Sequence, residues 1–135
     1  MPATTRELAA MLDPLPAHVV LLDEAGDIVV TNSGWRRFAR ENTLNDHAYC
    51  VGRNYLEICE QAFRSGVQDG RAVADGIRSV LNDNVEQFKL DYPCHSPTEQ
   101  RWFRINVLRL QGLLNNYVAV MHVDITGQFA ARACD

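Results

Sequence analysis

No stretch of this chain is rich in lysine or arginine, and the densest basic spot is Arg36-Arg37. Thirteen basic residues stand against seventeen acidic ones, a formal charge of −4. Without a basic stripe to meet a phosphate backbone, nucleic acid is not an expected partner. Long apolar runs are missing too. The longest, Ala17 to Leu22, is interrupted by His18 and falls far short of the roughly 20 residues a membrane span needs. The opening MPATTRELAAMLD carries acidic residues and no apolar core of a secretory signal. The expected location is cytoplasmic, for a whole protein or for a piece of a longer one. The cysteines at 50, 59, 94 and 134 form no C-x-x-C pair, and a disulfide framework would need a secreted context. A zinc site built from Cys50, Cys59, Cys94 and His95 matches none of the usual ligand spacings. Buried free thiols are the simpler reading.

What is present reads as one domain. A chain of 135 residues divided in two would leave halves too small for a good core, and 22% charged with 47% hydrophobic residues argues against disorder. Residues 4–12 read as an amphipathic helix. Thr4 and Glu7 have capping-box spacing, and Leu8, Met11, Leu12 and Leu15 fall on one face before Asp13-Pro14 and Pro16 stop it. Two β-branched runs joined by Asp23-Glu24-Ala25-Gly26-Asp27 predict a hairpin. Asn32-Ser33 offers a helix N-cap before Trp35, Phe38 and Ala39. Helices are expected over 55–64 and 72–81, with Ser65-Gly66 between them. The last third alternates with period two: Phe88, Leu90 and Tyr92, then Phe103, Ile105 and Val107. Tyr117 to Ile125 is nearly continuous apolar sequence, as in the centre of a sheet. Strands are therefore expected near 18–23, 27–31, 85–93, 101–110 and 117–125, giving an α+β domain with one antiparallel sheet and helices on one face.

Three local patterns occur in a telling order. Leu22-Asp23-Glu24-Ala25-Gly26-Asp27-Ile28-Val29 with Asn32 resembles the DxxGxIxxxN hairpin that opens PAS domains. Val51-Gly52-Arg53-Asn54-Tyr55 resembles their GrN segment, and Asp124-Ile125-Thr126 resembles the D-I-T motif at the end of their last strand. The segment from Tyr92 to Phe103 also resembles PAS domains fused to bacterial histidine kinases and other two-component regulators. This resemblance divides the chain into an N-terminal helix at 1–14, a sensory domain at 15–128, and the start of an output linker, cut short, at 129–135. It implies a five-stranded sheet curling around a cleft that can hold flavin, haem, a small metabolite or side chains alone.

The resemblance also lets each cofactor be tested. Light-sensing flavin relatives carry a reactive cysteine directly after the GrN asparagine; here Asn54 is followed by Tyr55, and a phenol cannot replace a thiolate nucleophile. Haem relatives supply a histidine from the helix before the third strand, and 72–81 contains none. Haem through His122, His47 or a cysteine, and non-covalent flavin, stay open, but neither cofactor is expected. By alternation His122 shares a face with Val118 and Val120, so it is either a polar group in a ligand pocket or a core histidine bonded to a backbone carbonyl. Cys94-His95 would be a nucleophile and base, but neighbours on a strand point to opposite faces. Trp35, Phe38 and Trp102 read as core or interface aromatics.

A ligand cleft is expected from Phe38, Tyr55, Ile58, Ile77, Phe88, Leu90, Phe103, Ile105, Val120 and His122. Asp124 and Thr126 are expected to set the exit angle that carries a signal. Leu8, Met11, Leu12 and Leu15 are expected to join two copies in a homodimer. The implied function is a sensory module that binds a small molecule or partner and drives a kinase, cyclase or transcription regulator without itself catalysing a reaction. A haem- or flavin-bearing sensor is the alternative, and a small α+β pocket enzyme a further one, though no convergent acid/base pair supports it.

Overall fold

The computed structural model describes residues 4–41, 51–64, 69–93, 100–110 and 117–127. The elements run α1 (Thr5–Leu12), β1 (His18–Leu22), β2 (Ile28–Thr31), α2 (Ser33–Glu41), α3 (Tyr55–Arg64), α4 (Asp69–Leu81), β3 (Gln87–Pro93), β4 (Trp102–Arg109) and β5 (Val118–Asp124). All strand pairs are antiparallel in the order β2-β1-β5-β4-β3. The apolar run of β5 is therefore flanked on both sides, as its composition predicts. The helix expected at 72–81 begins three residues earlier, at Asp69. Polar Asp69 and Gly70 carry no apolar periodicity by which the first turn could be read.

Strand parity sorts the sheet into two faces. Toward α3 and α4 lie Val20, Leu22, Ile105, Val107, Val118 and Val120, packed with Trp35, Tyr55, Ala74, Ile77 and Val80. Ile105, Val120 and Ile77 are fully buried, and each such side chain contributes roughly 1.5–3 kcal/mol by leaving water. Gly76 lets α4 approach β3: a Cβ there would lie 2.4 Å from the Phe88 ring. On the opposite face Leu21, Val30 and Ala119 are covered by Leu8 from α1, with Leu12 beside them. Thr4 caps that helix by accepting from the Glu7 N–H at 3.1 Å.

Asn32 ties these layers together. Its Oδ1 accepts from the Val19 N–H and, as the N-cap of α2, from the Trp35 N–H, both at 2.9 Å. Its Nδ2 donates to the Leu12 and Ala17 carbonyls. The side chain is fully buried with every donor and acceptor used, the condition under which burying an amide is tolerable.

Candidate functional site

The site is built by two turns that dock on each other. Asp23 Oδ1 accepts from the Ala25 and Asp27 N–H groups at 3.0 Å. Gly26, at φ +88°, takes the left-handed conformation that a side chain would resist. Asn54 Nδ2 then donates to the Ala25 carbonyl and to Asp27 Oδ1, and Asn54 Oδ1 caps α3 through the Glu57 N–H. Backbone bonds from Ile28 to Arg53 and from Tyr55 to Gly26 complete the junction. The hairpin and the GrN segment are thus halves of one structure, and its product is a fixed Tyr55 at the first turn of α3.

Tyr55 reaches His122. Its hydroxyl lies 2.7 Å from His122 Nε2, and the Tyr92 hydroxyl lies 2.7 Å from His122 Nδ1. A neutral imidazole has one N–H and one lone pair, so one phenol donates to the ring and the other accepts from it. Burial pushes the His122 pKa down to about 3, and neighbouring His18 adds to the shift. The ring is therefore neutral at physiological pH. His122 is open between a ligand contact and a core bond to a backbone carbonyl in the sequence reading; its bonds here run to two phenols instead, Tyr55 from α3 and Tyr92 from β3 across the intervening β4. Trp35 lies against Tyr55 and His122, and His18 against Phe38 and Phe103.

The residues named for the cleft share the helix-covered side of the sheet. Tyr55, Ile77, Ile105 and Val120 belong to the buried cluster, with Ile58, Phe88 and Leu90 packed against it. Phe38 meets Phe103 edge-on at 6.3 Å, and His122 bridges the two tyrosines. Trp35, His18 and Tyr92 complete this aromatic layer and were not among the residues named. Tyr92 was within reach, since it shares parity with Phe88 and Leu90. His18 was not, because it becomes a neighbour only through its register with His122.

A cavity of about 340 Å3 opens beside this layer, between the α1–β1 connection and the start of α2. Asp13, His18, Gly34, Arg37, His122 and Asp124 line it. It thus shares only His122 with the expected cleft.

The D-I-T segment is held by β4. Ile125 N–H donates to the Trp102 carbonyl at 2.8 Å, and Trp102 N–H donates to Thr126 Oγ1 at 2.9 Å. Asp124 Oδ1 accepts from the Thr126 N–H. Its carboxyl is held below the usual range by hydrogen bonding to Thr126, helped by the nearby Arg101 charge. Leu8 and Leu12 of the expected dimer stripe lie against the chain's own sheet, whereas Met11 and Leu15 are 64% and 41% exposed.

Among the described residues, the two ligand positions that the resemblance points to, a cysteine after Asn54 and a histidine on α4, hold other side chains. The position after Asn54 holds a buried phenol, and the thiol one helical turn on, Cys59, is buried with its pKa pushed up to about 12 by desolvation. The core side of α4 presents Val73, Ala74, Ile77 and Val80, and both nitrogens of His122 are engaged. No group of residues able to hold a metal ion occurs among the described residues. Cys50, Cys94, His95, Cys134 and His47 lie outside them.

No protein-family model matches the chain. It is 39% identical over 123 residues to an uncharacterized 104.1 kDa protein from Rhodobacter capsulatus, encoded in the hypE 3' region; the match covers 88% of this chain and 13% of that protein. The chain thus spans about an eighth of that relative's length. Among solved structures, the photoactive yellow protein domain of the sensor histidine kinase Ppr from Rhodospirillum centenum aligns at TM-score 0.56 and 15% identity, over 84% of this chain and 90% of that one. A PAS domain from Colwellia psychrerythraea aligns at 0.54 and 15%, over 90% and 97%. The LOV protein of Rhodobacter sphaeroides aligns at 0.56 and 18%, over 87% and 65%. The fold is that of a PAS domain.

Proposed function

We propose that this chain is a sensory domain of a longer protein, binding a small molecule or partner and relaying a conformational change to an output module such as a histidine kinase, with no catalysis of its own. The observation that carries the reading is the Tyr55–His122–Tyr92 network. It joins α3, β5 and β3 through one titratable group, and β5 continues within two residues into the Asp124–Thr126 exit. A ligand that displaces either phenol therefore acts on the strand that leaves the domain.

Asp124 and Thr126 are the relay residues in this proposal, and residues 15–128 the sensory unit. Two further features support the setting. The Rhodospirillum centenum neighbour is a domain of a sensor histidine kinase, and the Rhodobacter capsulatus relative is far longer than this chain. No helix among the described residues is long and apolar enough to cross a membrane, in keeping with a cytoplasmic setting. Homodimerisation through the exposed Met11 and Leu15 belongs to the same proposal.

The test is amide NMR on Tyr92→Phe. Losing this one hydroxyl should shift the amide resonances of Ile125 and Thr126, more than 30 residues away in sequence. Unmoved resonances there, with changes confined to the contacts of Tyr92 and His122, would refute the relay.

A further inference from the structure

We propose that the cavity between the α1–β1 connection and the α2 N-terminus binds a small zwitterion of the α-amino acid class, its carboxylate held by Arg37 and its ammonium by Asp13 and Asp124. The inference rests on the sensory reading above and names the ligand class and a place for it outside the apolar cleft. Its volume of about 340 Å3 lies at the small end of ligand sites.

The lining carries charge of both signs. Arg37 is exposed, and no ion pair is formed by it among the described residues; a guanidinium on α2 is suited to a carboxylate. Asp13 Oδ1 already accepts from Arg36 and from the Ser33 N–H, which fixes the carboxylate in place. Asp124 is fixed in the same way by Thr126, and hydrogen bonding keeps it ionised. Two anchored carboxylates suit an ammonium group. A plain anion would meet both of them, and a plain cation would meet Arg37. A ligand carrying both charges satisfies the whole lining.

Position supplies the second argument. The cavity touches His122, the centre of the phenol network, and Asp124, the first residue of the exit. One ligand can thus press on the group that links α3 to β3 and on the carboxylate that shapes the outgoing backbone. Side chains already fill the space among Ile77, Ile105 and Val120, whereas this cavity is open.

Calorimetric titration of the 135-residue chain with each of the twenty L-α-amino acids, at concentrations up to about 10 mM, tests the assignment. At least one should bind saturably. Arg37→Gln should weaken it about ten-fold or more, and the N-acetylated acid and the decarboxylated amine should each bind more weakly than the parent. Arg37 is exposed and fills no core space, so its variant folds even where Asp124→Asn does not. No saturable binding by any amino acid, equal binding by Arg37→Gln, or equal binding by either singly charged analogue overturns the site. The sensory reading fails separately: an amino acid that binds through Arg37 but leaves the Ile125 and Thr126 amides unmoved keeps the site and removes the relay.

Discussion

His122 shows what one residue can be asked to do and how to tell its roles apart. Replacing it with alanine removes the hydrogen bonds to the buried Tyr55 and the half-buried Tyr92, so His122→Ala should lower unfolding stability by roughly 1–3 kcal/mol in urea titration. A melting transition unchanged by that substitution would mean the network carries no structural energy. The pH dependence is more specific. The folded protein holds His122 neutral with a pKa of about 3, against an ordinary 6.5, while the unfolded chain takes up a proton below 6.5. Stability therefore falls as pH drops from 6.5 toward 3, by up to about 1.4 kcal/mol per pH unit from this group. Asp124, whose carboxyl is lowered, adds its loss only further down, in the carboxylate range near pH 4. His122→Gln should flatten the limb between about pH 6.5 and 4.5, and an unaltered limb would assign the loss to another group. Alternation along β5 was enough to place this histidine on the helix-covered face. Its partners were not legible, because hydrogen bonds from α3 and β3 depend on sheet order, which no local pattern contains.

At the scale of elements, the contact between α4 and β3 turns on a glycine that sequence reading passes over. A glycine inside a helix costs about 1 kcal/mol relative to alanine, so Gly76→Ala would stabilise an isolated helix. Here the added Cβ would strike the Phe88 ring, and the overpacking cost of about 1–3 kcal/mol exceeds that gain. Gly76→Ala should thus lower the denaturation midpoint, and Phe88→Leu in the same chain should recover part of the loss. Additive losses in the double-mutant cycle would show that the two residues do not press on each other. The elements themselves were readable where local chemistry decides them. Thr4 caps α1, Asn32 caps α2, and strict alternation in β3 and β4 matches the two faces of the sheet. The stripe on α1 was readable as apolar, but periodicity does not say what covers it. The structure divides it, with Leu8 and Leu12 turned to the sheet and Met11 and Leu15 toward solvent.

The whole molecule raises the question of association, and that division of α1 decides how to test it. Leu8 fills the face formed by Leu21, Val30 and Ala119, so deleting residues 1–14 would uncover the chain's own core. A change in sizing after that deletion would mix unfolding with dissociation. Met11 and Leu15 offer a cleaner probe. They are large and exposed, Met11 in the last turn of α1 and Leu15 in the connection that follows it, where exposed apolar surface favours a partner. Aspartate at both positions removes that patch and places like charges across a two-fold contact, where each copy meets the same surface of the other. The Met11→Asp/Leu15→Asp variant should elute as a monomer where the parent chain elutes as a dimer, with a melting temperature within about 2 °C because neither side chain fills the core. A dimer that survives both substitutions places the interface elsewhere, and a parent chain that sediments as a monomer up to about 100 µM removes the homodimer altogether.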